Sequence, residues 1–65
     1  MRLQLNGETI NVVACSLADL LEAQGFGEAK IATAVNGCFV PSTVRADHSL
    51  IDGDMIEVLA PMQGG

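Results

Sequence analysis

The chain has 65 residues, of which 49% are apolar, and eight acidic against three basic side chains give a net charge of −5. A domain of this length buries only ~60% of the surface its unfolded chain exposes, and its core must be built from aliphatic residues, with two Phe and no Trp or Tyr. That leaves no room for an internal cleft of several hundred cubic ångströms, so stand-alone catalysis is disfavoured and the protein is expected to work by presenting a surface or an end. Arg2, Lys30 and Arg45 do not cluster, and the acidic balance repels phosphate backbones, which excludes a nucleic-acid partner and favours a basic protein surface. No segment approaches the ~20 apolar residues of a membrane span, and the start MRLQLNGE has no apolar signal core, so the expected compartment is the cytosol.

Along the chain, MRLQL alternates, with Met1, Leu3 and Leu5 on one face and Arg2 and Gln4 on the other, the period of a half-buried strand. Asn6-Gly7 supplies the positive φ angles of a type I′ turn. ETINVV then sets Ile10 and Val12 inward, so the first fourteen residues read as a β-hairpin. Ser16, with Asp19 three residues later, opens a helix running to about Gln24. Leu17, Leu20 and Leu21 fall on one helical face, and Gly25 is placed to end the helix. Gly25, Gly27 and Glu28 carry a mobile connection.

IATAV alternates again, with Ile31, Thr33 and Val35 on one face, and Asn36-Gly37 repeats the hairpin signal before CFV. Pro41 ends that strand because it cannot donate to a ladder. STVRADHS has little periodicity and reads as a connecting loop with one turn of helix. Leu50 and Ile51 anchor the chain before Asp52-Gly53-Asp54 turns it. In the final strand MIEVLA, Ile56 and Val58 point inward, and Met55, Glu57 and Leu59 point outward.

Two hairpins joined by a helix, with a closing strand, predict an α+β fold. The helix packs its Leu face on a mixed sheet of four to five strands, since neither element can bury itself alone. The helical crossover is expected to join parallel neighbours in the right-handed sense. The first and last strands then lie side by side in the middle, as in a β-grasp, the ubiquitin-like architecture. Residues 1–60 form this domain, and 61–65 form a flexible tail, Pro61-Met62-Gln63-Gly64-Gly65.

The stretch AVNGCFVP, the later LIDGDMIEVL and the closing Gly64-Gly65 together resemble sulfur carrier proteins of the ThiS family, which supply sulfur for the thiazole of thiamine. The resemblance spans nearly the whole chain, including the SLADLLEAQG helix. Ser42, where the family often has a basic residue, and Arg45, where many members have an aromatic, are departures that bear on partner docking. The resemblance implies that a ThiF-type enzyme adenylates the Gly65 carboxylate with its own ATP, that a cysteine-derived sulfur converts it to a thiocarboxylate, and that a ThiG-type thiazole synthase consumes it. Met62, Gln63 and Gly64 would enter the partner's active site. No cofactor is bound by the carrier itself. The chemistry agrees, because a narrow slot beside ATP favours residues without a Cβ, and a reacting chain terminus requires no nucleophilic side chain nearby. The molybdopterin synthase small subunit shares the fold and the ending, though it is usually longer. TGS-like regulatory modules share the VNG, VP and DGD features but sit within longer chains.

Other residues carry weaker signals. Cys15 and Cys38 are distant in sequence and are expected to be reduced, buried small hydrophobes, with a disulfide or a sulfur-relay thiol as the alternatives. Their spacing with the single His48 does not make a zinc site. His48 reads as a solvated loop residue without a role. Asp52-Gly53-Asp54 lacks the further oxygens of a calcium loop and reads as a tight turn. Met55 and Leu59 form either a partner-docking patch or a local packing contact, because the outer face of a last strand is normally polar.

Overall fold

The computed structural model describes residues 1–13, 16–26 and 30–60. Strands β1 (Arg2–Leu5) and β2 (Glu8–Asn11) form the first hairpin. Asn6 and Gly7 turn it with φ of 51° and 84°, two successive left-handed residues whose twist matches that of the flanking strands. Leu3 stands opposite Ile10 in the register, and the alternation buries Leu3 while Leu5, Ile10 and Val12 pack part-buried around it.

Helix α1 (Leu17–Ala23) starts at Ser16, whose hydroxyl accepts a hydrogen bond from the Asp19 backbone N–H at 3.1 Å. This satisfies one of the orphan donors of the first turn. The three leucines of the predicted face are all buried, and Gly25, at φ 88°, follows the helix end.

The second hairpin pairs β3 (Ala32–Val35) with β4 (Cys38–Val40) around Asn36-Gly37, at φ 52° and 84°. A 3-10 helix over Ser42–Asp47 follows, and the chain then runs to the turn at Asp52-Gly53. The chain closes with β5 (Met55–Leu59). The five strands lie in the order β2-β1-β5-β3-β4. β5 runs parallel to β1 and antiparallel to β3, so the first and last strands are central, as expected. The core comprises Leu3, Leu17, Leu20, Leu21, Val35, Val40, Leu50 and Ile56. This is a five-stranded mixed sheet with one helix on one face, the β-grasp fold.

Four expectations need correction. The helix joins β2 to β3, which run parallel, but β1 and β5 lie between them, so the crossover spans the sheet and does not link neighbours. The segment after Pro41 forms about two turns of 3-10 helix, not one. Ile51 does not anchor the chain: it is 67% exposed while Leu50 is buried. Its backbone N–H instead donates to Asp54 Oδ2 at 2.9 Å and its carbonyl accepts from the Asp54 N–H at 3.1 Å, so the turn uses its peptide groups and turns its side chain out. Cys38 is exposed and is not a buried hydrophobe. Its alternation matches that of buried Val40, but it begins the strand beside Gly37 at the turn. Cys15, Gly27 and Glu28 lie outside the described residues.

Candidate functional site

Of the residues singled out from the sequence, Met62, Gln63, Gly64 and Gly65 lie outside the described residues. Met55 and Leu59 lie within them, 54% and 68% exposed, on the sheet face opposite the helix. The same alternation buries Ile56 and half-buries Val58 on the helix side.

The neighbouring strands extend this outward face. Leu59 pairs with Ala32, and Glu57 pairs with Ala34, which in turn pairs with Phe39 on β4. Ala32 and Ala34 are too small to shield their neighbours, so Phe39 stands 68% exposed at one side and Leu59 at the other. A shallow depression of about 190 Å³ lies among Ala32, Ala34, Phe39, Glu57 and Leu59. A second, of about 460 Å³, lies among Gln4, Asn6, Asn36, Met55 and Glu57, walled by the two Asn-Gly turns. Both are concavities of the sheet surface; of the buried residues Ile56 borders the larger and Thr33 the smaller. Phe39 was missed by the sequence reading. Its signal is its position in CFV, where an inward Val40 requires the preceding aromatic to face outward.

The strand that carries this face is held from both sides in the plane of the sheet. Asn6 Nδ2 donates to the Val58 carbonyl at 3.2 Å and Asn6 Oδ1 accepts from the Val58 N–H at 2.8 Å. On the other side the Met55 N–H donates to Asn36 Oδ1 at 3.0 Å, and the Asn36 backbone N–H donates to the Met55 carbonyl at 2.7 Å. Each turn asparagine therefore does two things: it tolerates the left-handed φ that the turn needs and prolongs the ladder with its amide. Asn36 Nδ2 also donates to buried Asp54 Oδ1 at 2.9 Å, so that carboxylate is matched at both oxygens.

The other candidates take structural places. The Asp52 carboxylate accepts from the Arg2 N–H at 2.6 Å, and Gly53 turns at φ 93°, the tight turn expected. Among the described residues no three His, Cys, Asp or Glu side chains converge to hold a metal ion. His48 is half-buried, and its carbonyl accepts from the Leu17 N–H at 2.9 Å at the start of α1. Ser42 is exposed at the start of the 3-10 helix. Arg45 is directed inward: its Nε donates to Thr33 Oγ1 at 3.0 Å and its Nη2 to the Ile31 carbonyl at 2.7 Å. Thr33 Oγ1 in turn donates to the Val40 carbonyl at 2.9 Å, so buried Thr33 is fully engaged. No pattern in the sequence marks this reach of twelve residues.

A five-stranded mixed sheet in the order β2-β1-β5-β3-β4 with one helix on one face defines a ubiquitin-like β-grasp domain. The chain belongs to the ThiS family, the small sulfur carriers of thiamine biosynthesis, whose sequence profile matches residues 3–65. It is similar to the crystal structure of a thiamine biosynthesis protein (ThiS) from Geobacter metallireducens, at 28% identity and a TM-score of 0.85, covering 100% of both chains. It is also similar to the NMR solution structure of a thiamine biosynthesis protein from the same organism, at 26% identity and a TM-score of 0.79, covering 100% of this chain and 88% of that one. Among curated proteins none matches this chain. No helix among the described residues is long and apolar enough to cross a membrane.

Proposed function

We propose that this chain carries sulfur on its Gly65 carboxylate, as a co-substrate of partner enzymes and not as a catalyst. A ThiF-type enzyme activates the terminus: a carboxylate oxygen attacks the α-phosphorus of ATP, and pyrophosphate leaves. Sulfide released from a cysteine-derived donor then attacks the acyl carbon, the acyl–AMP bond breaks with loss of AMP, and the thiocarboxylate remains, whose ionised sulfur is a better nucleophile than a carboxylate oxygen. A ThiG-type thiazole synthase consumes it and returns the carboxylate. ATP belongs to the activating enzyme, and the cytosol is the place of the cycle. The observation that carries this reading is that the family match runs through residue 65, taking in Gly64-Gly65. In such a slot Gly64, Gln63 and Met62 are the residues that enter with the terminus, and Met55 and Leu59 dock the domain.

Deleting Gly65, or adding one residue after it, is expected to abolish ATP-dependent pyrophosphate release with the activating enzyme and to leave the unfolding midpoint unchanged. With the native chain, a sulfur donor and ATP, intact-mass measurement should show the sulfur-for-oxygen increment on the C-terminal fragment. Activation of the extended chain, or sulfur found on Cys15 or Cys38 instead, overturns the proposal.

A further inference from the structure

Met55, Glu57 and Leu59 alternate outward along one strand, so Met55 and Leu59 are separated by roughly 13 Å, with Glu57 midway. Glu57 is also the one side chain shared by the two depressions, the first shaped by Met55 and the Asn-Gly turns and the second by Phe39, Ala32 and Leu59. Among the described residues its carboxylate has no hydrogen-bond or ion-pair partner, and no lysine or arginine lines either depression.

This arrangement constrains any protein that docks here. A partner that covers Met55 and Leu59 together must also cover Glu57, because the pleat puts all three on one face. Glutamate is depleted from the cores of interfaces, and a buried carboxylate without a counter-charge is strongly unfavourable. Filling both depressions with apolar groups would leave that carboxylate unpaired. The occupant that fits is a segment with a cation between two apolar side chains. Arginine suits the middle position best, since its planar fork can bind a carboxylate through two donors while its stem lies on apolar surface. The net charge of −5 steers the same class of partner.

Resting on the carrier reading above, we propose that Glu57 is the orientation-setting residue of the docking face: it receives an arginine or lysine from the adenylating enzyme, whose flanking apolar side chains enter the two depressions. The apolar residues supply contact area, while the ion pair fixes which way the domain sits and so where its C-terminus is aimed. Glu57 is thus a specificity determinant and touches no reacting atom.

The test measures pyrophosphate release by the ThiF-type enzyme of the same organism with the native carrier, Glu57→Gln, Glu57→Lys and Leu59→Glu, each over a range of salt. Thermal unfolding checks that the variants are folded. Glu57→Gln is expected to raise KM by about thirtyfold or more with kcat unchanged, because it strands the partner's cation without altering the tail. Glu57→Lys should raise KM further, the salt dependence should flatten in Glu57→Gln, and enzyme variants selected to restore Glu57→Lys should replace an arginine or lysine with an acidic residue. If both Glu57 variants stay within about twofold of the native KM while Leu59→Glu still weakens binding, the face docks without a charge anchor and the inference is wrong. If Leu59→Glu is also silent, the docking face itself is wrong. If the native chain is not adenylated at all, the carrier reading fails and the inference falls with it.

Discussion

The two faces of β5 are built from nearly the same chemistry and have opposite fates. Ile56 and Val58 point toward α1 and are covered, whereas Met55 and Leu59 point away and are not. Hydrophobicity alone therefore does not say which residues hold this fold together. What separates the two sets is the single helix, whose leucines reach one face only. Among the described residues no second layer covers the other face, and Met55, Leu59 and Phe39 stand exposed there.

The largest effect that tests this contrast is on the covered side. Ile56→Ala should destabilise the domain by about 2–5 kcal/mol, the range for emptying a close-packed aliphatic site. Marginal domains of this size have only roughly 3–10 kcal/mol in total, so chemical denaturation should show a variant near the edge of folding. A loss below about 1 kcal/mol would mean that the core relaxes around the cavity and that the two faces differ less than their burial suggests.

Between the faces, in the plane of the sheet, the two turn asparagines offer a finer test. Asn36→Ala should cost about 2–3 kcal/mol and Asn6→Ala about 1–2 kcal/mol, since both lose a ladder-prolonging amide and strain a left-handed residue. Asn36 is the more expensive because its Nδ2 also serves buried Asp54. Asn36→Gly separates the two contributions by relieving the φ strain and not the lost bonds. Equal losses at Asn6 and Asn36 would show that Asp54 finds another donor.

Most of this fold was legible because its determinants are local and repeated. Alternation marks the strands, Asn-Gly occurs twice at hairpin turns, and Ser16 with three leucines marks the helix. The β-grasp order followed from burying those apolar faces together. Legibility ended where a residue's role depends on a distant element. Arg45 reaches β3 through a long side chain that no periodicity encodes. Ile51 looked like a second anchor beside Leu50, but its peptide groups are taken by the Asp54 turn, which leaves its side chain in water. Phe39 sits in a strand too short for its outward phase to be noticed. The Gly64-Gly65 expectation falls outside the described residues, so the structure bears on the candidate site through its outer face. The outer patch could be half read, from Met55 and Leu59, because its other half comes from a strand that only the sheet order brings near.

The smallest expected effect is the most discriminating. Leu59→Glu and Phe39→Ser remove large apolar side chains, as Ile56→Ala does, yet each should shift folding stability by no more than about 0.5 kcal/mol, because both side chains are mostly solvated already. Leu59→Glu sits at the end of β5 opposite Ala32, where a charged side chain can extend into water without displacing a neighbour. Phe39→Ser removes an aromatic that stands opposite Ala34 in the register, 68% exposed on the short outer strand β4. The same substitutions should weaken association with the adenylating enzyme by one to several kcal/mol, about the span of interface hot spots. Stability by denaturant titration and affinity by calorimetry, measured on the same two variants, therefore separate the alternatives. Unchanged folding with weakened binding identifies the outer face as the docking surface. A loss of stability comparable to that of Ile56→Ala, with binding unaltered, would make Phe39 and Leu59 a second packing layer and remove the contrast between the faces of β5.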